Sequence, residues 1–162
     1  MNISKENPVS IGENADVLEN SDLHPGSVMV YWKEKTEVFP MISISTPEAP
    51  AAIGPYSQGM VAGGLVFCSG QIPVDPATGA IAQGIAAQAE QSCRNVSAVL
   101  AAAGSDLTKV VKTTCFLADM ADFAAFNEVY ARFFTGKPAR SCCAVKTLPK
   151  NVLCEIEAIA EL

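Results

Sequence analysis

Pro138-Ala139-Arg140-Ser141-Cys142-Cys143 is followed, beyond a polar connection holding Leu148-Pro149-Lys150-Asn151, by Glu155-Ile156-Glu157-Ala158-Ile159-Ala160. Both runs are short and rich in small and β-branched residues, the composition of two neighbouring strands. Alternation at period two puts Arg140, Cys142 and Ala144 on one face of the first and Glu155, Glu157 and Ile159 on one face of the second. Charge on apolar strands is costly unless something uses it. If the two strands pair as a hairpin, an arginine fork and a carboxylate stand within one small-molecule length of each other. That would be a carboxylate holder beside a general base. A structural Arg–Glu ion pair is the competing reading, because structural pairs mimic functional ones.

Working back from these strands, the pattern is regular from Ile42 onward. Ile42-Ser-Ile-Ser45 alternates as a short strand, then Pro47 and Pro50 break it. Gln58 to Ala62 and Leu65 to Ser69 flank Gly63-Gly64, a two-residue hairpin signal. A loop with Pro73, Asp75-Pro76 and Thr78-Gly79 precedes a helix over Ile85–Ala103, in which Ile85, Ala89, Cys93, Val96, Leu100 and Ala103 recur every three or four residues. Val110 to Leu117 is a β-branched strand. Asp119 is positioned to cap a second helix with Phe123, Phe126, Tyr130, Phe133 and Phe134 on or near one stripe, ended by Gly136. The resulting order, β-β-β-α-β-α-β-β, predicts an α+β fold: a two-layer sandwich of a six-stranded mixed sheet with two helices on one face. The face left uncovered is expected to be apolar and to meet other copies of the chain.

Composition supports that expectation. The sequence has 162 residues, 49% of them hydrophobic, and a mean hydropathy of +0.25. No apolar run approaches the ~20 residues of a membrane-spanning helix, so the apolar excess is assigned to contacts between subunits. Residues 1–40 differ from the rest, with seven acidic residues, three lysines and no arginine. Met1-Asn-Ile-Ser-Lys-Glu lacks the apolar core of a secretion signal, and this acidity does not suit a mitochondrial presequence, so a cytoplasmic protein is expected. Residues 1–40 are read as an extension dispensable for the fold, in which Val28 to Phe39 has the β-formers of an added strand, and residues 41–162 as the main domain.

Charge and residue types narrow the chemistry. The net charge is −6, and residues 41–162 carry no basic cluster, which weighs against nucleic acid as a partner. Cys68, Cys93, Cys115, Cys142, Cys143 and Cys154 lie in apolar runs without metal or redox spacing, and are expected as buried thiols. The one histidine, His24, falls in the extension. Histidine-based nucleophile pairs, metal sites and acid–base steps are therefore excluded from the main domain, leaving a carboxylate, a thiol, a tyrosine or bound water. No phosphate-cradling glycine motif is present, and the Asn2 and Asn95 sequons are discounted. Gly54-Pro55-Tyr56-Ser57-Gln58 fixes a turn that presents a tyrosine hydroxyl.

Six ordered segments together point to one family. These are Ala49 to Gln58, Phe67-Cys-Ser-Gly-Gln-Ile-Pro73 with its following turn, Val111-Lys-Thr-Thr114, Phe123 with Asn127-Glu-Val-Tyr130, Pro138 to Ser141 and Glu155 to Ala160. The series resembles the RidA/YjgF family of imine deaminases, also called endoribonuclease L-PSP, over residues 42–160. The resemblance implies a chorismate-mutase-like homotrimer with sites in the clefts between subunits. It implies hydrolysis of 2-imino acids such as 2-iminobutanoate and 2-iminopropanoate, which leak from pyridoxal-phosphate dehydratases, to 2-oxo acids and ammonia. Residue by residue it makes Arg140 the carboxylate binder and Glu155 the residue that positions water. Tyr56, Ser69, Gly70, Asn127 and Cys142 then line the substrate pocket.

The chemistry of these residue types agrees. Arg140 can hold a carboxylate through two parallel hydrogen bonds, and Glu155 can orient water and accept its proton. The imine is already activated, so no cofactor or metal is expected. Two alternatives remain: an endoribonuclease acting on single-stranded RNA, and a non-enzymatic module sensing a small carboxylate.

Overall fold

The computed structural model describes residues 40–162 and, in backbone alone, residues 15–18 and 29–32. It divides into two compact units, Met1–Val38 and Phe39–Leu162. In the first, strands β1 (Ala15–Leu18) and β2 (Met29–Trp32) pair antiparallel, Ala15 opposite Trp32. The added strand expected over Val28 to Phe39 is thus seen at Met29–Trp32; the rest of that stretch, His24 and Asn2 lie outside the described residues.

The second unit contains β3 (Ile42–Ile44), β4 (Gly59–Ala62), β5 (Leu65–Gln71), α1 (Ile85–Ala102), β6 (Val110–Leu117), α2 (Phe123–Phe133), β7 (Ala139–Ala144) and β8 (Cys154–Glu161). This is the expected element order. The hairpin between β4 and β5 turns at Gly63 and Gly64, whose φ of 57° and 76° is the left-handed pair a tight two-residue turn requires. Asp119 does cap, but its carboxylate accepts from the Ala121 N–H at 2.8 Å within a 3-10 turn, Met120–Asp122, and α2 proper starts at Phe123.

The six strands form one mixed sheet in the order β3-β4-β5-β8-β6-β7. Only β6 and β7 are parallel, as a crossover through α2 demands. The expected hairpin between the last two strands is therefore not formed. β6 lies between them, pairing with β7 on one edge and β8 on the other. The connection passes over the end of β6, where the Val145 N–H donates to the Leu117 carbonyl and the Ala118 N–H to that of Leu153, both at 2.9 Å.

Alternation along β8 separates the two faces. Cys154, Ile156, Ala158 and Ala160 are buried against the helices, while Glu155, Glu157, Ile159 and Glu161 point the other way. On the helix side Val66, Cys115, Leu117 and Ile156 meet Val96, Val99, Leu100 and Phe126, all fully buried. Asn95, buried inside α1, donates to the carbonyls of Ile72 and Val74 at 2.9 and 3.0 Å, which fastens the loop after β5. The other face carries none of the described helices and is of mixed character. Met60, Phe67 and Ile159 lie beside Lys112, Thr114 and Glu157 around a groove of about 290 Å³.

Cys68, Cys93, Cys115 and Cys154 are buried as expected, and burial pushes the thiols of Cys68, Cys115 and Cys154 up to about 12. Cys142 is half-buried. Cys143 is exposed, contrary to the expectation of six buried thiols, because β7 is an edge strand whose outward side has no cover.

Candidate active site

The sheet divides the expected site residues into two groups. The first gathers around Arg140 on the helix side of β7. Arg140 Nη1 donates to Asn127 Oδ1 at 2.8 Å, and its guanidinium carbon lies 4.7 Å from the centre of the Tyr130 ring and 5.5 Å from that of Phe123. Cys142, two residues along the same face, keeps its proton: burial raises its thiol, and the neighbouring Arg140 offsets only part of that. A groove of about 310 Å³ lined by Tyr130, Phe134, Lys137, Pro138 and Arg140 opens beside them. Among the described residues the ion pairs join Glu90 to Arg94 and Arg132, so Arg140 has no carboxylate partner and the structural Arg–Glu pair is not formed.

The second group lies on the helix-free side. A break in register between Cys68 and Gln71 makes a bulge in β5 opposite β8, and it contains Ser69 and Gly70. The Glu155 side chain lies directly on Gly70: a Cβ there would stand 2.8 Å from Glu155 Cδ and overlap its Oε1. A side chain at this position would push the Glu155 carboxyl aside, so glycine is what lets it rest against the backbone. Burial, with repulsion from Glu157 added, raises the Glu155 carboxyl above its ordinary value of 4.5.

The loop leading into β4 completes this group. The Tyr56 hydroxyl accepts from the Ile53 N–H at 3.3 Å, leaving its own proton free to donate. Ser69 is less available, since its hydroxyl already donates to the Ser57 carbonyl at 2.7 Å. Gln58 is a contributor that residue-type reasoning did not single out. Buried beneath the loop, it accepts from the Thr46 N–H and donates to the carbonyls of Thr46, Ala49 and Pro50, at 2.7 to 3.1 Å. A pocket of about 240 Å³ opens between Tyr56, Gly70, Ile72, Val74 and Lys150.

Within one chain the two groups do not meet. Arg140 is level with Ala158 across β6, and Glu155 is level with Cys143. Three residues along the strand and two strand spacings separate Arg140 from Glu155 by about 14 Å of backbone, and their side chains leave opposite faces. The proximity expected from a hairpin is overturned, for the same reason as the hairpin itself. Phe123 and Tyr130, expected on the stripe of the second helix and present with Asn127 among the family's segments, have no site role assigned to them by the sequence; their spacing around Asn127, at i, i+4 and i+7 of one helix, is the signal of a shared face. Among the described residues no three His, Cys, Asp or Glu side chains converge as a metal cluster, and no helix is long and apolar enough to cross a membrane.

These features define a small α+β protein bearing an arginine-centred and a glutamate-centred cluster on opposite faces of one mixed sheet. The family model for endoribonuclease L-PSP matches residues 46–162, and the chain belongs to that family, the RidA/YjgF group its motifs resemble. It is 55% identical over 122 residues to the 2-iminobutanoate/2-iminopropanoate deaminase of Salmonella typhimurium, covering 73% of this chain and 95% of that one. Among solved structures it is similar to Escherichia coli TdcF with bound serine, with a TM-score of 0.72 and 49% identity over 75% of this chain and 98% of that one. Yeast Mmf1 gives a TM-score of 0.73 and 46% identity, again over 75% of this chain and 98% of the other.

Proposed function

We propose that this protein is a 2-iminobutanoate/2-iminopropanoate deaminase of the cytoplasm, working as a chorismate-mutase-like homotrimer whose sites are shared between adjacent subunits. The observation that carries this reading is the division of the site. A half-buried arginine with no anionic partner among the described residues and a half-buried glutamate with a raised carboxyl lie on opposite faces, which supports a site completed by a second copy. The identity to the Salmonella deaminase supports the substrate, and the serine bound to Escherichia coli TdcF supports a small ligand bearing a carboxylate.

In the proposed mechanism Arg140 of one subunit holds the substrate carboxylate through the N–H groups that Asn127 leaves free. Cys142 borders the same pocket as a neutral thiol. In the next subunit, ionised Glu155 orients water against the iminium carbon and takes its proton as the C–O bond forms. Tyr56 donates toward the reacting centre, with Ser69 and Gly70 shaping the floor. Glu155 then gives the proton it took to the nitrogen of the resulting carbinolamine, the C–N bond breaks, and ammonia leaves as the hydroxyl proton passes back to Glu155 and the carbonyl of the 2-oxo acid forms. Such acid–base assistance contributes roughly two to four powers of ten in rate. The test is a coupled assay in which 2-iminobutanoate is generated in situ and 2-oxobutanoate release is followed with and without the protein. An unchanged rate refutes the proposal.

A further inference from the structure

We propose, resting on the deaminase reading above, that the Phe123–Asn127–Tyr130 stripe of α2 is an uncharged cradle for Arg140 that makes the site selective for carboxylates, with Tyr130 as its positioning residue. The three residues fall at i, i+4 and i+7, on one side of the helix. Each touches the guanidinium differently: Asn127 Oδ1 accepts one N–H at 2.8 Å, and the two rings cover it at 4.7 and 5.5 Å.

Tyr130 is itself held on both sides. Its hydroxyl is 2.7 Å from Thr113 Oγ1, and its ring stacks on Phe134 with centroids 4.3 Å apart. Thr113 is fully buried and sits directly across from Arg140 in the sheet, so the strand beside the arginine also anchors the ring beneath it.

The chemistry of this cradle differs from that of an ion pair. A carboxylate partner would hold Arg140 equally well but would neutralise it and occupy its fork. Ring faces and an amide oxygen attract the cation while leaving its charge uncompensated and its remaining N–H groups open. The nearby thiols of Cys115 and Cys142 are raised by burial and add no negative charge. A half-buried positive charge kept in this way discriminates by charge. It favours a carboxylate over a neutral amide of the same shape, because only the carboxylate compensates it.

The experiment measures binding of 2-oxobutanoate and of its neutral analogue 2-oxobutanamide by NMR titration, together with KM and kcat for 2-iminobutanoate. Variants are Tyr130→Leu, Tyr130→Phe and Phe123→Leu. Tyr130→Leu should weaken 2-oxobutanoate and raise KM by about tenfold, the range of a partly desolvated cation–π contact. Affinity for 2-oxobutanamide and kcat should each stay within about twofold. Tyr130→Phe keeps the ring face and should retain most of the carboxylate affinity, and Phe123→Leu should show a smaller loss of the same kind.

Equal weakening of both probes, or full carboxylate affinity in Tyr130→Leu, overturns the cradle. If Tyr130→Leu fails to fold, Phe123→Leu and Tyr130→Phe decide on the same criterion: selectivity lost in the first and kept in the second supports the cradle, and any other pair of results overturns it. A wild-type protein that turns over imine yet binds both probes equally refutes the cradle alone. One that neither binds 2-oxobutanoate nor turns over imine refutes the deaminase reading and the cradle with it.

Discussion

Mixing two inactive variants tests the shared site most directly. Arg140→Ala removes the carboxylate holder and Glu155→Gln removes the base, so each homo-oligomer should be nearly inactive. Arg140 and Glu155 are separated by about 14 Å of backbone and leave opposite faces of the sheet, so no side-chain rotation joins them within a chain. On the proposed reading, each site of a closed ring would take Arg140 from one subunit and Glu155 from the next. After equal amounts are co-refolded, half the subunits offer an intact arginine and half of their neighbours an intact glutamate, so about a quarter of the sites should be complete. The assay is imine turnover by the mixture, with native mass spectrometry verifying hybrid assemblies. Activity near a quarter of wild type is the expected result. Hybrids present in random proportion with activity no higher than either parent would refute the shared site.

Five further outcomes follow. Arg140→Lys keeps the charge but loses the planar fork, which at roughly 1.5–3 kcal/mol should lower kcat/KM by about one to two powers of ten, with circular dichroism unchanged. The raised Glu155 carboxyl must ionise to act, so the kcat/KM profile should rise with pH through a limb above the ordinary glutamate value of 4.5, and Glu155→Gln should abolish that limb with the activity. The same raised value means that the stability contributed by protonated Glu155 is present below pH 4.5 and lost as pH rises through the native value, a trend that thermal melts should lack in Glu155→Gln. Gly70→Ala places a methyl group where Glu155 lies and should reduce kcat by about tenfold or more while the protein stays folded, read by kinetics beside a melting curve. A chain beginning at Met41 should retain both assembly and turnover, measured by sedimentation and the coupled assay.

Much of this molecule follows from local rules. The period of α1, the glycine pair between β4 and β5 and the β-branched run of β6 each act over a few residues, so they were legible in order along the chain. Alternation likewise assigned Arg140 with Cys142 and Glu155 with Glu157 to their own strand faces, because a side chain's face depends only on its position in its strand. The presence of charge on apolar strands marked both as candidates for use.

Which strands adjoin is a different matter. β7 and β8 are neighbours in sequence, yet the parallel crossover through α2 inserts β6 between them, and that pairing rests on contacts remote along the chain. The tertiary structure therefore reversed the relation between Arg140 and Glu155, from cross-strand neighbours to opposite faces. It also set part of the aromatic stripe of α2 against Arg140, because which side of α2 meets β7 depends on helix-to-sheet packing. The place of Glu155 on Gly70 was decided there too, since a bulge shifts register by one residue and no periodic pattern announces it. Sequence determined the elements and the reactive groups, through interactions that reach one turn or one strand. Only the packed sheet decided which of those groups lie together in one chain and which lie on opposite faces.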